Sequence, residues 1–183
     1  MRILLVSAIP PPEGGVASWT KKYINYCNQK GYEISLVNTA LQGRRGKRIN
    51  SKRHIGDEIK RTISVIKNMN RSLKNPNLKV VHINSSCSRY GIIRDYCCVH
   101  LAKKQRIPIV FHCHCNIEDQ ISGKMGRLIF QRVANMSSKV IVLNSKSSEY
   151  LRALSETKSA IVPNFIEQMR LRTHMKLKMT FQK

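Results

Sequence analysis

Apolar positions in the first 40 residues follow two periods. Residues 2–9 form a short apolar run closed by Pro10-Pro11-Pro12, and Val16, Trp19, Tyr23, Ile24 and Cys27 then recur at helical spacing up to Gly31. The run predicts a strand, Gly14-Gly15 a loop, and the periodic segment a helix. Residues 33–39 (EISLVNT) predict a second strand. Ile55, Ile59, Ile63, Ile66, Met69 and Leu73 are spaced three or four apart, which predicts an amphipathic helix closed by Asn75-Pro76-Asn77. Strands at 80–84, 109–115, 140–143 and 160–162 follow, alternating with helices at 90–104, 124–134 and 147–154.

Strands alternating with helices through short connections predict a parallel sheet, because parallel strands need helical crossovers. The fold class is therefore α/β: a doubly wound, mainly parallel, Rossmann-like sheet with helices on both faces. Ligands of such sheets sit beyond the carboxyl ends of the strands. Function is to be sought at Gly14, Gly15, Asn84, Ser85, His114, Asn144 and Asn164, which lie at or just after those ends.

Length and composition fit this picture. A chain of 183 residues can form one core that buries roughly 70% of its unfolded surface. At 42% hydrophobic and 23% charged residues, it is not disordered throughout. The opening apolar run is far shorter than the ~20 residues of a membrane span and lacks a signal-peptide pattern, so the expected location is the cytoplasm. The six cysteines match no compact disulfide framework, and reduced thiols are expected.

Charge adds a second theme. Lys and Arg outnumber Asp and Glu by 33 to 10, a net charge of +23. Residues 44–79 hold 12 basic and 2 acidic side chains, and the tail after Glu167 holds five basic residues and no acid. The basic segment 44–61 enters the amphipathic helix, which suits either an anionic membrane surface or a solvated basic face. A nucleic-acid-binding module is the competing class. Only 6% aromatic residues and no recognised nucleic-acid motif speak against it.

Gly14-Gly15 between strand and helix could offer backbone amides to a phosphate, or could be a turn that needs positive φ. It matches neither a dinucleotide fingerprint nor a Walker loop. His112 and His114 alternate with Cys113 and Cys115, which on a strand puts imidazoles and thiols on opposite faces. That is a poor tetrahedral zinc site, so no metal is expected. His82 reads as a sheet-face histidine, Cys97-Cys98 as helix packing, and Trp19 and Tyr23 as core. Asn84 and Ser85 could touch an acceptor or cap the next helix, and Arg89 could meet an anion or solvent.

The opening MRILLVSAIPPPEGGVASWTKKYINYCNQKGYEISLV, with VVHINSS at 80–86, IPIVFHCHCN at 107–116, VIVLNSKSSEYL at 140–151 and IVPNFIE at 161–167, resembles the amino-terminal, acceptor-side domain of family 4 retaining glycosyltransferases of the GT-B fold. The resemblance covers residues 1–167 and implies transfer of a sugar from a nucleotide-sugar, such as a UDP- or GDP-sugar, to a polysaccharide or lipid-linked acceptor, without a metal. It implies that Gly14 and Gly15 approach the donor phosphates and that His114 approaches the transferred sugar as the catalytic residue. Asn164 corresponds to the crossover into a second domain. Cys115 departs from the small or acidic residue usual after that histidine. The donor domain's Arg/Lys pair and glutamate motif have no counterpart in 168–183, so this basic tail reads as a poorly packed linker. The chain is expected to be inactive alone. A separately encoded donor domain as partner, or a non-catalytic remnant, are the further readings.

Overall fold

In a computed structural model, the structure describes residues 1–40 and 55–164. The tail 168–183 and residues 44–54 of the basic segment lie outside the described residues. Twelve elements follow in order: β1 (Arg2–Ser7), α1 (Gly15–Gln29), β2 (Glu33–Asn38), α2 (Ile55–Ser72), β3 (Leu78–Ser85), α3 (Arg89–Lys104), β4 (Ile109–Cys113), α4 (Ile117–Gln120), α5 (Gly123–Met136), β5 (Lys139–Val142), α6 (Ser145–Leu154) and β6 (Ser159–Ile161).

The strands form one sheet in the order β2-β1-β3-β4-β5-β6, and every pairing is parallel. The chain leaves β1 to one side and returns through α2 to the other, so the strand order reverses between β1 and β3. Their carboxyl ends, at Ser7 and Ser85, flank this switch point, where open α/β sheets bind ligands.

Alternation along the strands sorts side chains between the two faces. Leu4 and Val6 of β1, Val81 and Ile83 of β3, and Ile109, Phe111 and Cys113 of β4 join the main core with Met69, Val99 and Phe130 from α2, α3 and α5. Phe111 meets Phe130 edge to face, with ring centroids 6.5 Å apart. The opposite face carries Ser7, His82, Asn84 and His112, and α1 packs against it.

Element boundaries shift where local chemistry overrides periodicity. β1 stops at Ser7, two residues early, ahead of the triple proline. β4 stops at Cys113 and not Cys115, because the chain turns through Asn116 into the short α4, which periodicity does not announce. α6 starts at Ser145, two residues early, since Asn144 caps it by accepting the Ser147 N–H at 2.8 Å.

On α2 the sequence leaves open whether the isoleucine row packs on the sheet or faces outward, and the buried side chains are Glu58, Val65, Met69 and the following Leu73. Ile55, Ile59 and Ile63 are 63%, 55% and 48% exposed. The helix is rolled so that Val65 and Met69 seat between β2 and α3, and the isoleucine row comes out along one edge.

Candidate functional site

At the switch point, α1 begins with Gly15, directly after the extended Gly14 (φ 175°). Neither glycine lies in the left-handed region, so the turn reading of Gly14-Gly15 is corrected: among the described residues Gly31 and Gly123 are the glycines there. A Cβ at Gly14 or Gly15 would meet no atom within 4 Å. Both are exposed, Gly14 offers no side-chain cap, and the first turn carries no acid. The start of α1 thus presents unmasked N–H groups and the positive end of a helix dipole to open space.

One turn further along the same side of α1 lies Trp19, since positions four apart share a helix face. Trp19 stacks on Tyr23 (4.7 Å) and meets His82, His112 and His114 edge-on at 5.9, 5.1 and 4.8 Å between ring centroids. The two aromatic residues, read from sequence as core, are half-buried and clamp three imidazoles against the sheet. His112 and His114 lie 3.9 Å apart, and His82 stacks on His112 at 5.7 Å. His82 is a sheet-face histidine whose Nδ1 meets the Tyr23 hydroxyl at 3.4 Å.

Burial keeps this cluster neutral, and at His82 and His112 the charge repulsion of neighbouring imidazoles adds to it. The His82 and His114 pKa values are pushed down to about 4 and that of His112 to about 2, mainly by desolvation. A polar contact with Asn164, at the described end of the chain, partly offsets that loss for His114. His82 Nε2, both His112 ring nitrogens and His114 Nε2 are buried without a hydrogen-bond partner among the described residues.

Asn84 and Ser85 are held inside. Asn84 is 3% exposed and donates to Ser7 Oγ at 3.0 Å, while Ser7 also pairs with Thr20 Oγ1 of α1 at 2.5 Å. Ser85 is fully buried; it donates to Asp95 at 2.5 Å and accepts the Cys87 N–H at 2.9 Å. Its carbonyl accepts the His114 N–H at 2.7 Å. Neither side chain caps α3, whose N-cap is Ser88; both bond inside the fold and order the β3–α3 turn. Asp95 is in turn paired with Arg94 at 2.8 Å, both side chains nearly inaccessible. Periodicity gave no sign of this pair, although an Arg-Asp step inside a largely apolar helix is a signal that could have raised it.

The thiols lie on the other face, as alternation predicts. Contact with Cys113, together with burial, raises the Cys87 pKa well above the thiol range, and contact with Cys87, together with burial, does the same for Cys115. These thiols stay protonated and are not nucleophiles. No group of three or more His, Cys, Asp or Glu among the described residues is arranged to hold a metal ion.

A cavity of about 480 Å³ opens between the start of α3 and the α4–α5 turn. Arg89 and Lys124 contribute charge to its lining, and Ile92, Ile93 and Met125 apolar surface. A larger, more open depression of about 700 Å³ lies between the ends of α5 and α6, around Gln131, Arg152 and Glu156, at the opposite end of the sheet from His114.

Comparison with known proteins adds the following. A family model described as Glycosyltransferase Family 4 matches residues 13–170. A sucrose-phosphate synthase from Thermosynechococcus elongatus has a similar solved structure, with a TM-score of 0.62 at 10% identity, covering 96% of this chain and 52% of that one. At that identity the likeness is one of fold, and this chain spans about half the length of that structure. No curated protein matches by sequence.

Proposed function

The chain belongs to glycosyltransferase family 4, and from that premise we propose that it is the acceptor-binding half of a retaining transferase. The donor is a nucleotide-sugar, such as a UDP- or GDP-sugar, and the acceptor a polysaccharide or lipid-linked hydroxyl. The observation that carries this reading is the bare start of α1. Two exposed glycines, no side-chain cap, no acid in the first turn and open space at either Cβ position leave free N–H groups beside the switch point, where a diphosphate can approach.

In this reading Gly14 and Gly15 meet the donor phosphates, and no metal is needed to neutralise them locally. His114, held by the Ser85 carbonyl at its backbone and by Trp19 at its ring, faces the transferred sugar as a neutral imidazole. A neutral ring can donate or accept a hydrogen bond at a sugar hydroxyl without adding charge beside the developing oxocarbenium ion. Asn84 and Ser85 position the β3–α3 turn, and the acceptor enters over that turn into the Arg89–Lys124 cavity. Asn164 positions His114 at the crossover towards a donor-binding domain.

Stabilising the departing nucleoside diphosphate is usually a large catalytic contribution, and no residue of the described site is placed to supply it fully. The 183 residues alone are therefore expected to turn over little or no substrate. All six cysteines are free thiols, which fits work in the reducing cytoplasm. The test is to join this chain to the donor domain of a family member and assay sugar transfer to sugar, glycan and lipid-linked acceptors. Transfer with retained anomeric configuration by the folded chimera, and not by the chain alone, supports the reading. Robust transfer by the purified chain overturns it.

A further inference from the structure

The cavity of about 480 Å³ between the start of α3 and the α4–α5 turn lies at the carboxyl ends of β3 and β4, which carry Ser85 and lead into His114. Its volume falls within the ~300–1,000 Å³ range of small-molecule sites. Much of its lining is apolar: Ile92 is buried in the wall, and Ile93 and Met125 stay 46% and 69% exposed. The charged lining residues are Arg89 and Lys124, both exposed, with no acid among the residues around them. Neither cation has an ion-pair or hydrogen-bond partner for its side chain among the described residues. The acids nearest in sequence are engaged elsewhere, Glu118 with Lys146 at 3.1 Å, Asp119 with Asn116, and Asp95 with Arg94.

Both cations stand where helix electrostatics disfavours them. Arg89 opens α3 and Lys124 is the second residue of α5, and neither first turn holds an acid that would offset the charge. A helix start favours anions over lysine or arginine. The cavity therefore gathers positive charge over an apolar wall with no counter-charge inside it. We infer that it takes an anionic sugar as acceptor, a saccharide whose reacting residue carries a carboxylate or a phosphate ester. Arg89 and Lys124 hold the charged group through charge-assisted hydrogen bonds, and Ile93 and Met125 meet the C–H face of the ring. The acceptor hydroxyl then lies over the β3–α3 turn, towards His114. This inference rests on the acceptor-half reading and names the class of acceptor.

Nuclear magnetic resonance titration of the isotope-labelled full chain tests it at physiological ionic strength, with glucuronic acid, glucose 6-phosphate, glucose and inorganic diphosphate as probes. The expected result is at least tenfold tighter binding of one charged sugar than of glucose, with shifts centred on the amides around Arg89 and Lys124. Which charged sugar binds assigns the carboxylate or the phosphate ester. Arg89→Gln/Lys124→Gln is expected to lose about tenfold towards that sugar and little towards glucose. Its melting temperature should hold or rise, because two cations leave helix starts. Equal binding of glucose and both charged sugars overturns the inference and leaves the acceptor-half reading standing. Unchanged binding by the double variant assigns the effect to the overall charge of +23 and overturns it. Diphosphate bound at this cavity as tightly as either charged sugar also overturns it. So does the absence of any sugar-induced shift there, while transfer by the chimera judges the acceptor-half reading separately.

Discussion

The His114 ring lies in polar contact with the Asn164 side chain, which links the end of β4 to the chain that leaves β6. Two further holds on His114 come from distant elements and a third from its own strand. Ser85 of β3 takes its N–H, Trp19 of α1 meets its ring edge, and His112 lies beneath it. Its position is thus fixed by four segments before any ligand binds, which is what a residue facing a reacting sugar needs.

A His114→Ala change in the chimera with a donor domain should lower kcat on the order of 100-fold, the scale of a lost hydrogen-bond contact to developing charge. Melting temperature should stay within a few degrees, since removing His114 relieves a neighbour of His112. Because its pKa is depressed to about 4, His114 stays neutral throughout the usual assay range. The kcat profile should show no inflection from it between pH 6 and 8, as a pH–rate series can check.

The three clamped histidines should make the fold acid-sensitive. His82, His112 and His114 have folded pKa values of about 4, 2 and 4 against an ordinary 6.5. The unfolded chain therefore binds their protons first. Their contribution to stability is full above about pH 6.5 and is lost as pH falls from there towards 4. Thermal melts from pH 7.5 to 4.5 should show a steep fall, which His112→Phe should reduce. A melting temperature flat across that range would contradict the buried, neutral cluster.

Asp95→Ala should be among the most damaging single changes. It strands the Arg94 guanidinium in a 4% exposed site and leaves the Ser85 hydroxyl without its acceptor. Breaking a buried pair by removing one partner costs about 3–5 kcal/mol. Urea unfolding measures it, and Ser85→Ala should cost less, about 1–3 kcal/mol.

Gly15→Ala should separate stability from binding. The site is helical and open, so alanine should leave the fold intact or gain about 0.5–1 kcal/mol by reducing unfolded-state entropy. The added methyl group would stand where a phosphate approaches, so donor affinity of the chimera should fall. Calorimetry beside a thermal melt reads both quantities. Unchanged affinity would remove Gly15 from the donor contact.

The sheet, its parallel direction and most elements were legible because strands such as residues 80–84 and helices such as α3 carry clean periods and short connections. The opposite-face arrangement of His112 and His114 against Cys113 and Cys115 followed from alternation alone. Long-range pairing was not legible. Nothing local shows that Trp19 would cover three histidines from two strands, or that Ser85 would turn inwards to Asp95. The facing of α2 was not legible because its apolar residues span a wider arc than one sheet contact can cover, and packing beside α3 chose Val65 and Met69. Gly14-Gly15 was legible as a loop, but only the backbone shows that its glycines serve open space and not a left-handed turn.

The most direct test of the central claim is calorimetric titration of a panel of nucleotide-sugars into this chain, alone and joined to a family donor domain. The account predicts weak or no heat with the chain alone and saturable binding of one donor by the chimera, weakened by Gly15→Ala. Tight, saturable binding by the chain alone would contradict it, by placing a complete donor site within these 183 residues.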